Sequence, residues 1–162
     1  MPRICFAIVL LMASFVFAGS SKLPDACTLL TAQDVQSVVG AGFELSPFHG
    51  MSSDSSNCGY TKDPKNVANL TLIPASGGAA ATLSGMMKMQ SERGFKVTPV
   101  QGLGEGAYYG EKNIPGAKQF PNVATLHFGK GEIQALLDVQ LNGKPDIEAA
   151  QKLAKLVYDR MK

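Results

Sequence analysis

Tryptophan is absent from this 162-residue chain, histidine occurs twice and cysteine three times. Each shortage closes off chemistry. Two histidines, His49 and His127, leave little material for a nucleophile and base held within hydrogen-bond reach and oriented by a third group. No Gly-x-Ser-x-Gly elbow presents a serine on a strained turn, and no Gly-Lys-Ser/Thr marks a phosphate-binding loop. Charge of one sign is lacking too. There are 15 basic and 13 acidic side chains and no long run of either, so the concentrated basic face of a nucleic-acid protein is missing.

What is present begins with MPRICFAIVLLMASFVFAGS. One charge, Arg3, precedes an apolar run from Ile4 to Ala18. A bilayer takes roughly 20 apolar residues to span, and small residues follow the run. Val16-Phe17-Ala18 fits the small-residue rule for cleavage, and Ala18-Gly19-Ser20 fits it nearly as well. Residues 1–18 therefore read as a secretory signal peptide, with cleavage near 18–20; the alternative is an uncleaved membrane anchor. Neither Cys5 nor Cys27 has the Leu-small-small lead of a lipoprotein signal. The expected product is a soluble exported protein, periplasmic or secreted, with no stable membrane insertion.

Residues 19–162 are then a single domain of about 140 residues, long enough to bury a core without metals. Arg3 leaves with the leader, so 14 basic side chains stand against 13 acidic. Cys5 leaves too, and Cys27 and Cys58 can pair in one way, which predicts a disulfide. With no histidine nearby, these two cysteines argue against a thiolate metal site.

Periodicity places the elements. Thr31 is an N-cap, and Asp34 three residues on completes a capping box before Val35, Val38 and Val39, with Gly40 as the stop. The Ser- and Asp-rich run from Ser46 to Asn57 reads as a loop, and Val67 to Ile73 as a strand. A second helix runs from about Ala79 to Arg93, facing inward with Ala79, Leu83, Met86, Met87 and Gln90. Four strands follow, in FKVTPV, GAYYGEK, NVATLHF and GEIQALLDVQL. The last alternates Ile133, Ala135, Leu137, Val139 and Leu141 with a wet set, Glu132, Gln134, Leu136, Asp138 and Gln140. Gly129-Lys130-Gly131 is the expected hairpin, and Pro115-Gly116 and Pro121 mark a longer loop. Asp146 caps a closing helix whose stripe is Ile147, Ala150, Ala154, Val157 and Met161. The fold class is α+β: a mostly antiparallel sheet with helices packed on one face, in a single domain.

With these elements placed, the chain resembles the DUF3558-like small exported bacterial proteins and lipoproteins and, distantly, the extracellular sensor domains of bacterial receptor kinases. The matching residues are Asp25-Ala26-Cys27-Thr28-Leu29-Leu30-Thr31, Val35, Gly40, Cys58-Gly59-Tyr60 and the stretch Gly102 to Ala107. The resemblance implies an exported α+β domain of unknown biochemical role with no catalytic constellation. The chain departs from it in lacking the lipobox cysteine.

Three site readings follow. His49 lies beside Ser52, Ser53, Asp54, Ser55 and Ser56, so a hydrolase set can be written down, although nothing in the sequence fixes its angles. His49, Met51, Met86, Met87 and Met89 could bind Cu(I), which favours thioether ligands; Met86 and Met87 also suit an irregular helix–sheet gap. His127 falls on the polar face beside Thr125. The third reading is recognition of a protein, peptide or small ligand of the cell envelope, with Tyr60, Tyr108 and Tyr109 supplying contact. It is the expected function, without enzyme activity, cofactor or nucleic acid. In GLGEGAYY the third glycine comes one residue early for a dinucleotide fingerprint, and no helix follows. These glycines read as a tight turn, after which Tyr108 and Tyr109 face opposite ways, one packed and one toward water.

Overall fold

The computed structural model describes residues 23–162, except 48, 53 and 114–121, and of residues 122 and 123 only the backbone. The expected leader and the loop around Pro115-Gly116 and Pro121 lie outside the described residues. The chain runs α1 (Ala26–Leu29), α2 (Ala32–Val39), β1 (Glu44–Leu45), β2 (Gly50–Met51), β3 (Ser56–Asp63) and β4 (Asn66–Pro74). It continues α3 (Ala79–Glu92), β5 (Lys96–Pro99), β6 (Tyr108–Asn113), β7 (Asn122–Lys130), β8 (Ile133–Leu141), β9 (Lys144–Pro145) and α4 (Ile147–Arg160). One sheet carries the nine strands of the described residues in the order β1-β3-β4-β8-β7-β6-β5, with β2 on β3 and β9 on β8. Every pairing among the described residues is antiparallel. The α+β class and the antiparallel sheet are therefore as the sequence indicates.

Local chemistry explains the boundaries. Thr31 and Asp34 form the capping box, each side chain bonding the other residue's backbone N–H. Asp25 caps the extra turn α1 through the Cys27 N–H, and Asp146 caps α4 through Ala149. The β7–β8 hairpin turns at Gly131-Glu132 rather than at Gly129-Lys130-Gly131, because Lys130 already pairs with Ile133. Gly131 takes φ +58 there, the mirror-image conformation that tight hairpins favour. At the next turn Asn142 and Gly143 both take positive φ, and Leu141 pairs with Lys144.

Alternation sorts the strand residues between two covered faces. On one, Cys58, Tyr60, Leu70, Leu72, Tyr109, Leu126, Phe128, Leu137 and Val139 form the main core with Leu29, Leu30, Val35, Leu153 and Val157 from α1, α2 and α4. On the other, Tyr108 packs with Ala75, Ala79 and Leu83 under α3. Helices α1, α2 and α4 share one face, while α3, expected beside them, instead covers part of the opposite face. That position corrects two readings of the wet face. Gln134 is fully buried and His127 is 3% exposed, because α3 and not solvent lies over them. Ile147, expected in the stripe of α4, is instead exposed, and Leu153 takes a core position.

The Cys27–Cys58 disulfide is formed, with a Cα–Cα distance of 5.1 Å. It fastens α1 to β3, beside two hydrogen bonds that do the same: Ala26 N–H to Ser56 Oγ and Tyr60 O–H to the Leu30 carbonyl. No helix among the described residues is long and apolar enough to cross a membrane.

Candidate functional site

The three tyrosines expected at a partner surface are interior. Tyr60, Tyr108 and Tyr109 are 4%, 0% and 3% exposed. Tyr108 and Tyr109 do point to opposite faces, but both faces are covered at this point, so neither ring meets bulk water. Burial raises both phenols, Tyr108 to about 12. The loop before them is packed rather than open. Leu103 and Ala107 are buried, and Gly104 at φ +90 lies so near the Gly129 carbonyl that a Cβ would sit 2.7 Å from its oxygen. A strand, not a helix, follows, so the turn reading holds.

The five residues of the copper reading are split. His49 and Met51 lie at the β2–β3 end of the sheet, whereas Met86, Met87 and Met89 are on α3, which packs over β5 to β8. The Met86 sulfur accepts a hydrogen bond from Gln134 Nε2 at 2.9 Å. Met86 and Met87 pack into the small core under α3, and Met89 is exposed. The geometry matches their use as gap fillers.

The serine loop is held by its own turn. Ser52 Oγ accepts from the backbone N–H groups of Asp54 and Ser55, and His49 Nδ1 faces the Ser46 carbonyl at 2.7 Å. Ser56 is buried and accepts from Ala26; Ser53 lies outside the described residues. Among the described residues, neither histidine bonds a serine hydroxyl or a carboxylate.

His127 belongs to a buried polar layer between α3 and the sheet. Its ring stacks on Tyr108, centroids 4.5 Å apart and planes 9° from parallel. Gln90 Nε2 lies 3.2 Å from His127 Nε2; an amide N–H donated across that gap leaves the ring proton on Nδ1. Burial lowers the His127 pKa from 6.5 to about 4, so the ring is neutral at pH 7. Gln90 Oε1, Tyr108 OH, His127 Nδ1 and Gln134 Oε1 are buried here with no hydrogen-bond partner among the described residues. Such groups carry a desolvation cost, which makes this the less tightly bonded of the two helix–sheet interfaces.

A concave feature lies elsewhere, on the main-core side of the sheet. Among the described residues, a cavity of about 640 Å³ is lined by Lys96, Tyr109, Glu111, Lys112, Lys144 and Ile147, together with Gly94, Asn113, Ala124 and Pro145. Its size falls within the range of small-molecule pockets. Strands β5, β6 and β7 meet β9 and the first turn of α4 here, so the lining comes from residues 94 to 147. Lys96 pairs with Glu111 at 2.7 Å. Lys112 donates to the Arg93 carbonyl at 2.6 Å and lies over the Phe95 ring. Sequence reasoning missed this site because no local spacing links lysines 96, 112 and 144; the one available signal was an isoleucine opening a helix that ends up exposed.

Fold and site together define a class: a disulfide-linked antiparallel α+β domain with a lysine-bearing pocket at one end of its sheet. No protein-family model, no curated protein and no solved structure matches this chain.

Proposed function

We propose that this chain is an exported, non-enzymatic binding domain of the DUF3558-like kind, and that the pocket beside α4 receives its ligand. The carrying observation is the 640 Å³ cavity itself, which combines an apolar wall with a few polar side chains, the usual make-up of a ligand site. Two further features support the reading. Ile147 is 39% exposed at the cavity, a placement that water disfavours and a ligand would favour. The Cys27–Cys58 disulfide suits an oxidising, exported setting.

The test is retention from an envelope extract by the purified protein, run in parallel with an Ile147→Glu variant. Ile147 is exposed, so the substitution leaves folding intact. A component held by the unchanged protein and lost from the variant is the expected result, with native mass spectrometry reporting its mass. Identical retention by both would remove the pocket from the function. Export is checked separately, by sequencing the N-terminus of the product in the exported fraction, where a start between residues 19 and 21 is expected.

A further inference from the structure

Helices α3 and α4 have the same length, 14 residues each, yet the sheet holds them unequally. Ala149, Ala150, Leu153, Ala154 and Val157 of α4 are buried, and Asp146 caps its first turn. Only Ala79 and Leu83 of α3 are buried, and no side chain caps it. Tertiary packing of an apolar face supplies most of the stability of a helix in a protein, so α3 is the weaker attachment.

Glycines flank α3 at both ends. Gly77 and Gly78 precede it at φ +81 and +95, and Gly94 follows at φ +79, a region that glycine enters without strain. Between these joints, two polar contacts reach from the helix to the sheet. Gln90 Nε2 faces His127 Nε2, and Gln134 Nε2 donates to the Met86 sulfur, a weak acceptor. Nearer the joints, the Ala79 N–H meets the Gly131 carbonyl and the Lys112 ammonium meets the Arg93 carbonyl.

The layer beneath makes this attachment sensitive to charge. His127 is buried under α3, and its Nδ1 is one of four polar atoms there with no hydrogen-bond partner among the described residues. From α3 the ring meets the neutral Gln90, while Lys88 and Glu92 are exposed. From β6 it meets Tyr108, whose phenol burial pushes up to about 12 and so keeps neutral, while Lys112 is engaged at Arg93. Its partner on β8 is Leu136, with Gln134 next on the same face. Asp138, the carboxylate on that face of β8, is bonded to Thr125 and is itself pushed toward its neutral form by burial. A proton on His127 therefore finds no counter-charge while α3 is seated, whereas water solvates it once α3 lifts.

We infer that α3 is an acid-released flap: a proton on His127 lifts it as a unit about Gly77-Gly78 and Gly94, uncovering the second face of the sheet while the disulfide-linked main core stays folded. The flap is separate from the pocket, which lies on the other face, so a test of one leaves the other untouched.

The test is amide hydrogen exchange of the isotope-labelled full chain, followed by NMR at pH 7 and pH 5, with each rate divided by that of an unstructured peptide at the same pH. Amides of Leu83 to Gln90 should share one protection factor, at least about tenfold below those of β4 and of Leu153 to Val157 at either pH, the mark of a local opening. The ring titrates at about 4 under α3 and at 6.5 when free, so α3 protection should fall about twentyfold between pH 7 and pH 5. His127→Leu should abolish that fall. His127→Gln, which keeps a neutral polar group at the position, replaces it should the leucine variant fail to fold. Amides of α3 protected as strongly as those of β4 would overturn the flap, because the helix would then leave only with the whole fold. Protection that ignores pH, or a fall that persists in the His127 variant, would overturn His127 as the trigger.

Discussion

His127 shows what one residue can tell from its sequence and what it cannot. Its parity with Thr125 is legible, and the two do share a face of β7. Its burial is not, because alternation cannot distinguish a face covered by water from one covered by the Gln90 side of α3. The groups facing it are Gln90 from α3, Tyr108 from β6 and the β8 residues Gln134 and Leu136. None carries a charge at neutral pH, so nothing compensates an imidazolium there. The folded pKa of about 4 lies below the ordinary 6.5, and the unfolded chain therefore takes the proton first as the pH falls. Stability from this group is full above about pH 6.5 and is lost progressively between there and pH 4. The loss amounts to about 3 kcal/mol at most. Urea midpoints measured across that window should fall steadily, and His127→Leu should flatten the slope whatever it does to the absolute value. A slope unchanged in the variant would show that His127 does not titrate as a buried ring.

Among the elements, α2 and α4 are tied by charge as well as by packing. Arg160 at the end of α4 reaches Asp34 with both guanidinium nitrogens, at 2.5 and 2.8 Å, and also bonds the Leu29 carbonyl. That guanidinium, together with the Thr31 bonds, holds the Asp34 carboxyl far below its usual range. The capping box and the amphipathic stripe of α4 are legible because each needs only residues within one or two turns. The link between them is not, since it joins positions 126 residues apart. Strand β8 was readable for the same local reason, and the Asn142-Gly143 turn could have been, that pair being a strong hairpin signal. Strand order and the pocket depend on long-range pairing and leave no local trace. Arg160→Met keeps the aliphatic contact and removes the charge. It should cost about 1–2 kcal/mol, the lower part of the range for charged bonds because the arginine is 39% exposed. A depressed carboxylate stabilises the fold above pH 3.8 and loses that contribution as the pH falls below it. The variant should therefore lose the acid-side decline below pH 3.8 that the unchanged protein shows. Urea midpoints at pH 7 and in acid check both statements, and an unchanged acid limb would mean that Arg160 does not set the Asp34 pKa.

At the scale of the whole molecule, the two faces of the sheet are unequal. One carries a continuous apolar core under three helices, and the other a small core and a partly unsatisfied polar layer under α3. The disulfide sits on the stronger side, where α1 is already held by Ala26, Leu30 and Tyr60. Its contribution should then come mainly from restricting the unfolded chain. Closing a separation of 31 residues is worth about 3–4 kcal/mol in the chain-entropy model. A Cys27→Ser, Cys58→Ser double variant should remain folded at pH 7, with the dispersion of its NMR spectrum retained. Its urea midpoint should nevertheless fall by about 1–3 M, given the usual denaturant sensitivity of small domains. The unchanged protein, denatured with and without a reductant, should show the same difference. A midpoint that does not move would assign the attachment of α1 to the noncovalent bonds alone, while a variant that fails to fold would show that those bonds are too weak without the crosslink. The expected result lies between these, and it implies that in a reducing compartment this protein would fold but stand several kcal/mol closer to unfolding.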